Sequence, residues 1–204
     1  VATSPVRVFF LGSPPASIRF GVTPFDQPDT PVLCAVALGA NLPSRAGSPE
    51  QTVRGALERL AVLPLTQLVA TTALRTTTPQ GPGTQGQPPY VNACAALRSL
   101  LTPRGLLAML LDIEREFGRI RSLDQRNAPR TLDLDLLVFG DRVIDDRGSE
   151  PALILPHPRL SERRFVLEPL AEILPDLVVP PAGANVTGMS VRTLLERLPP
   201  VSAP

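Results

Sequence analysis

Lysine is absent from this chain. All 20 of its basic side chains are arginine, so a phosphate loop of the form G-x-x-x-x-G-K-[ST] is excluded outright. Charge of one sign is not in excess either. The 20 basic groups face 19 acidic ones, which argues against a general nucleic-acid binder and confines any positive field to a local patch. Tryptophan is missing and aromatics make up only 4% of the residues, too few for a surface that stacks bases. Cysteine occurs twice, at Cys34 and Cys94, each inside an apolar run and without metal-type spacing. Both are expected to be buried, reduced thiols, as in a cytoplasmic protein. No apolar run approaches the roughly 18 residues of a membrane helix, and no N-terminal run reaches a signal-peptide core of about 7–15 residues. With one histidine, His157, the chain also offers no Ser-His-Asp or Cys-His set for nucleophilic catalysis.

What is present centres on residues 130–139, which read RTLDLDLLVF. Leu132, Leu134 and Leu136 alternate with Asp133 and Asp135, the period of a strand with one apolar and one polar face. Both carboxylates then point the same way, about 6.6 Å apart at the backbone. That spacing suits hard cations, which need such a countercharge. Arg119, Arg121, Arg126 and Arg130 lie immediately before the strand, and their planar forks suit phosphate oxygens. Together they describe a polyphosphate and metal site. Taken alone, the same residues also fit a half-exposed strand beside a solvated loop.

At 204 residues with 43% apolar content, the chain is expected to form one domain with a real core. Residues 1–31 are rich in Pro, Ser and Thr without apolar periodicity, and are expected to be a disordered leader or the tail of an upstream segment. The domain is expected over 32–204. Its first strand is VLCAVALG (32–39), with Gly39 and Asn41 as turn residues. Ser48-Pro49-Glu50-Gln51 opens a helix through a capping box. A strand over 65–75, a long Pro/Gly loop and a strand over 90–100 follow. Thr102-Pro103 starts a second helix whose apolar face includes Leu106, Leu110, Ile113 and Phe117, with Gly118 as its left-handed cap. The strand at 130–139 is expected to turn at Gly140 and return through Val143-Ile144. A helix interrupted at Pro169 and a last short helix over 186–198 close the chain. This order predicts an α+β, ferredoxin-like β-α-β-β-α-β antiparallel sheet with helices packed on it and C-terminal helical segments.

Five segments resemble, in order, the 6-hydroxymethyl-7,8-dihydropterin pyrophosphokinases of folate biosynthesis: ALGANL around Leu38 to Leu42, PPYVNA at 88–93, IEREFGRIR at 113–121, PRTLDLDLLVFG at 129–140 and LPHPRLSERRFVLEPLAEI at 155–173. The resemblance covers roughly residues 32–180, and the last two motifs are highly specific. It implies transfer of pyrophosphate from ATP, leaving AMP, with two Mg²⁺ ions held by Asp133 and Asp135. It implies that Arg119, Arg121 and Arg130 act catalytically on the triphosphate, Arg121 from a mobile loop, and that Glu114, His157 and Arg163 also bind ATP. For the pterin it implies stacking by Tyr90 and Phe165, an edge contact from Asn92, and loop contacts at Thr77 and Pro79. The expected partners are these two small molecules, with no nucleic acid and no membrane. A monomer is expected, with room for an upstream folate-pathway domain. The family's mobile loop often carries a tryptophan where Asn127 stands here. Two other readings stay open at this stage: another Mg²⁺-dependent phosphotransferase, since a metal site does not name its acceptor, and an RNA-binding module on the same architecture.

Overall fold

The computed structural model describes residues 27–81, 83–120, 128–181 and 187–199. Most of the proposed leader and Arg121 therefore lie outside the described residues. The main sheet is antiparallel throughout, in the order β2-β4-β1-β5, where β1 is Val32–Ala40, β2 Thr66–Thr71, β4 Tyr90–Ser99 and β5 Asp133–Phe139; β3, Arg75–Thr77, also pairs with β4. Helices α1 (Pro49–Ala61) and α2 (Pro103–Glu116) cover one face. On the other lie α3 (Arg164–Ile173) and α4 (Val191–Arg197).

Alternation along the strands divides the core. Cys34, Val36, Leu38 and Ala40 of β1 join Leu134 and Leu136 of β5 under α1 and α2. Ala35 and Ala37 of β1, with Leu137 and Val138 of β5, pack under α3 and α4. Leu137 and Val138 share that face because the register slips opposite Ala35 and Val36, a bulge that turns the strand by one residue. The helix starts follow their caps: Ser48 Oγ accepts from the Gln51 amide at 3.3 Å while Gln51 Oε1 accepts from the Ser48 amide at 2.8 Å. Thr102 Oγ1 likewise accepts from the Gly105 amide at 3.0 Å. Gly118, at φ +80°, ends α2; a side chain there would be strained. Cys34 and Cys94 are free and buried, and burial pushes both thiols up to about 12.

Several expectations are corrected. The strand read over 65–75 is two strands, because at Thr72 the side chain enters the ladder: Thr72 Oγ1 accepts from the Cys94 amide at 2.9 Å and the Thr72 amide donates to the Cys94 carbonyl at 3.0 Å. Gly39 lies within β1, not in a turn, paired with Asn92 on one side and Asp133 on the other. The expected return of β5 on itself does not form. The turn closes through the Arg142 amide on the Phe139 carbonyl at 3.0 Å, but β6 (Ile144–Asp146) pairs with β7 (Leu153–Leu155) in a small sheet of its own. The outer edge of β5 is instead met by the His157 amide, which donates to the Leu137 carbonyl at 2.8 Å. Helix α3 runs unbroken through Pro169, because Val166, Leu167 and Leu170 anchor it on the sheet. The last helix begins only at Val191, after a two-strand pairing of β8 (Val178–Val179) with β9 (Met189–Ser190).

Candidate active site

Part of the sheet face that carries α3 is left open. There the strands, the loop after β3 and the start of α3 enclose a cavity of about 330 Å³. Two rows of paired residues form its floor. Asp133, Gly39 and Asn92 lie side by side across β5, β1 and β4, and one step further Asp135, Ala37 and Cys94 do the same. Small residues on the central strand leave room above them. A Cβ on Gly39 would come within 3.0 Å of Asn92 Oδ1. In the sequence Gly39 reads only as a turn residue and Ala37 carries no signal, since a small residue in an apolar strand does not mark a cavity floor.

Asp133 is clasped by two guanidinium groups. Arg119 Nη1 donates to its Oδ1, and Arg130 Nη1 to its Oδ2 at 2.6 Å. Burial pushes the Asp133 carboxyl up, but the charges and hydrogen bonds of Arg119 and Arg130 outweigh it and hold the group below its ordinary value. Asp135 has the opposite balance. Burial and the neighbouring Asp133 charge raise it, against the weaker pull of His157 and Arg163. Arg163 Nη1 donates to Asp135 Oδ2 at 3.0 Å, and His157 Nε2 lies 3.8 Å from the same oxygen. His157 Nδ1 accepts from the Arg159 amide at 3.2 Å, which places the proton of the neutral ring on Nε2, facing Asp135. Burial lowers the His157 pKa and Arg163 adds to that, with Asp135 opposing. Two adjacent carboxylates thus differ in the charge state they favour.

An aromatic wall completes the cavity. Tyr90 and Phe165 line the cavity, and Arg163 lies 5.8 Å from the centre of the Phe165 ring, within range of a cation–π contact. The Tyr90 hydroxyl donates to the Ala128 carbonyl at 3.5 Å. Its pKa is raised by burial and by Asp133, with Arg130 opposing. Asn92 Nδ2 donates to Thr77 Oγ1 at 2.7 Å, so the Thr77 side chain is engaged in holding Asn92.

Of the residues singled out in the sequence, Thr77, Pro79, Tyr90, Asn92, Arg130, Asp133, Asp135, Arg163 and Phe165 line this one cavity. Arg119 and His157 stand behind its carboxylates. Glu114, which the resemblance assigns to ATP, does not line the cavity: it is 1% exposed. Its Oε1 accepts from the Leu134 amide at 2.8 Å and from Arg119 Nη1 at 2.9 Å, so it braces the carboxylate strand from beneath. Arg159 and Glu162 also reach the wall; nothing in the sequence marks them, because their segment, which follows two prolines and forms a short 3₁₀ turn at Leu160–Glu162, has no periodicity to orient side chains.

Comparison with known proteins decides the family. The model of the 7,8-dihydro-6-hydroxymethylpterin-pyrophosphokinase (HPPK) family matches residues 35–175. The chain belongs to this family. A 2-amino-4-hydroxy-6-hydroxymethyldihydropteridine pyrophosphokinase of Pseudomonas aeruginosa is 45% identical over 145 residues, 71% of this chain and 82% of the relative. A Synechocystis protein of the same name is 39% identical over 165 residues, 81% of this chain and 78% of the relative. Among solved structures, Plasmodium falciparum HPPK-DHPS with pteroate matches with a TM-score of 0.60 at 12% identity, over 83% of this chain. The chain spans only 45% of that longer protein, and at such identity the likeness concerns the fold. The HPPK match runs from within β1 through α3 and so contains every described residue of the cavity wall.

Proposed function

We infer that this chain transfers the pyrophosphoryl group of ATP to the hydroxymethyl of 6-hydroxymethyl-7,8-dihydropterin, giving AMP and the pterin diphosphate, a step of folate biosynthesis. ATP is the co-substrate. Family membership supports the reaction. The single observation that carries the assignment to this cavity is that two carboxylates ringed by arginines share one wall-to-wall space with two aromatic rings and a carboxamide. That is a place for a polyphosphate beside a place for a flat heterocycle.

The residues fit Mg²⁺. Among the described residues no group of three or more His, Cys, Asp or Glu side chains gathers to cage a metal, and Mg²⁺ needs no such cage, since one or two carboxylates plus phosphates and water complete its octahedron. Asp133 and Asp135 would hold it, as two ions. When bound it supplies charge neutralisation and polarisation of the phosphate oxygens. Arg130 and Arg163, which now neutralise the two aspartates, lie in the cavity wall where phosphate oxygens would arrive. Arg119, fixed by Glu114 and by the Leu132 carbonyl at 2.9 Å, keeps Asp133 ionised and oriented. Arg121, outside the described residues, remains assigned to the triphosphate on the resemblance alone. His157, neutral near pH 7, orients Asp135 and borders the ATP side.

Tyr90 and Phe165 would stack the pterin faces. Asn92, its amide fixed on Thr77, presents its remaining donor and its carbonyl to the ring edge, and Pro79 closes the loop side. No covalent intermediate is needed. The rate would come from alignment of hydroxymethyl oxygen and phosphorus and from charge already in place. The strand order, with each sheet neighbour antiparallel, supports the ferredoxin-like split β-α-β reading, with the domain at 32–204. A cytoplasmic location, a monomeric state and an upstream pathway domain belong to the same proposal. No helix among the described residues is long and apolar enough to cross a membrane, and the P. falciparum neighbour joins HPPK to DHPS.

The test is AMP formation from ATP and Mg²⁺ by the purified protein, with and without the pterin. Pterin-dependent AMP is expected. AMP or ADP release that ignores the pterin would transfer the site to another phosphotransferase reaction, and tight, salt-sensitive RNA retention on filters would support the RNA-binding reading instead.

A further inference from the structure

Asn41 is absent from the cavity wall, yet it joins the two halves of it. Its side chain is buried, 1% exposed. Asn41 Oδ1 accepts from the Arg130 amide at 2.8 Å, while Nδ2 donates to the Pro88 carbonyl at 3.2 Å and to Gln87 Oε1 at 3.4 Å. The backbone amides of Asn41 and Leu42 both donate to the Arg130 carbonyl, each at 3.1 Å. Both polar groups of the Arg130 main chain therefore end on this one bend. On the other side, Pro88 stands two residues before Tyr90, whose ring lines the cavity. The Tyr90 hydroxyl and Arg130 Nε both donate to the Ala128 carbonyl, at 3.5 and 3.1 Å. One carboxamide thus spans from the segment that carries the aromatic wall to the segment whose guanidinium bonds Asp133.

We propose that Asn41 is a positioning residue that sets the separation of the pterin wall from the phosphate-binding arginine. The proposal rests on the pyrophosphokinase reading for its two substrates. A carboxamide suits the place because it accepts on one side and donates on the other. Buried this deeply, its bonds are not replaced by bulk water when it is removed. The need for such a brace follows from the reaction. Acceptor and donor are held by segments far apart in sequence, and in-line transfer requires their reacting atoms within a few tenths of an ångström of the productive geometry.

Two variants separate the ends of the brace. Asn41→Asp keeps an acceptor for the Arg130 amide but sets a carboxylate oxygen against the Pro88 carbonyl and Gln87 Oε1. Its pterin KM should rise about tenfold while its ATP KM stays within about twofold. Asn41→Ala releases both ends, so both KM values should rise and kcat should fall. Steady-state AMP assays read this, with thermal unfolding confirming that each variant is folded. A lower melting temperature with both KM values unchanged means a merely structural role and overturns the proposal. Amide hydrogen exchange needs neither substrate: Asn41→Asp should speed exchange over 83–90 and spare the Arg130 amide. Unchanged exchange at 83–90 in that variant also overturns it. If the wild type makes no pterin-dependent AMP, the pyrophosphokinase reading fails by itself, and the exchange experiment still decides whether Asn41 joins the two segments.

Discussion

The two faces of the sheet are built from the same strands and do different work. Toward α1 and α2, β1, β4 and β5 present an unbroken apolar layer, Val36, Leu38, Ala95, Leu97, Leu134 and Leu136 among it. Toward α3 and α4, the apolar layer covers only part of the sheet, and at the other end the same strands present Asn92, Asp133 and Asp135 to a cavity. Because side chains alternate, a residue on β5 can serve the core while its neighbour serves the site. Stability therefore comes mainly from one face, and it supports charges on the other that would be costly if they alone had to hold the fold.

The largest expected effect that sharpens this contrast is on activity. Asp135→Ala and Asp133→Ala should each lower pterin-dependent AMP formation by about a thousandfold or more, the order seen when a group that stabilises developing charge is lost. Asp135→Ala should keep a cooperative melting transition, because the fold holds that carboxylate at a cost. Near-normal turnover in either variant would break the assignment of the face. Next comes the opposite face. Leu110→Ala, which empties a fully buried position on α2, the helix packed on β5, should cost about 3 kcal/mol in denaturant unfolding and leave kcat/KM of the folded fraction within about threefold. A comparable loss of catalysis would mean the two faces are not separable.

The smallest effect lies within the site and concerns pH. Asp133 is held below its ordinary value, so its ion pairs stabilise the fold above the unfolded carboxyl pKa of about 3.9. That contribution is lost as pH falls through the lower folded value. Asp133→Asn should therefore be less stable than wild type at pH 7, on the order of 2 kcal/mol, and the gap should close in acid. Asp135 is raised, so its charged form is disfavoured in the fold at neutral pH. Asp135→Asn should be as stable as wild type or slightly more so at pH 7, with the difference fading as pH falls through the raised folded value and Asp135 takes up its proton. Unfolding curves from pH 7 down to about pH 2 read both. The same sign for the two variants at pH 7 would refute the unequal environments of the pair.

Local patterns made much of this legible. The alternation of Leu132, Leu134 and Leu136 with Asp133 and Asp135 states a two-faced strand, and Ser48-Pro49 and Thr102-Pro103 state where helices begin. Where patterns are interrupted by tertiary bonds, reading along the chain fails. Thr72 reads as one more β-branched residue of a strand, yet its hydroxyl substitutes for a ladder bond. Glu114 reads as a polar helix position, yet the amide of Leu134 and the guanidinium of Arg119 draw it inward. Asn41 reads as a turn former, and its partners at 87, 88 and 130 are far away in sequence.

By itself, then, the sequence determined the alternation that puts both aspartates on one face, the absence of any lysine phosphate loop, the helix starts and the family motifs. These follow from spacing and residue chemistry within a few neighbours. Only the tertiary structure decided which arginine meets which aspartate, why Asp133 and Asp135 differ in charge preference, and that Gly39 and Ala37 floor the cavity. It also decided that Glu114 and Asn41 are buried. Those outcomes depend on desolvation and on hydrogen bonds between segments distant along the chain, and neither is present until the sheet has assembled.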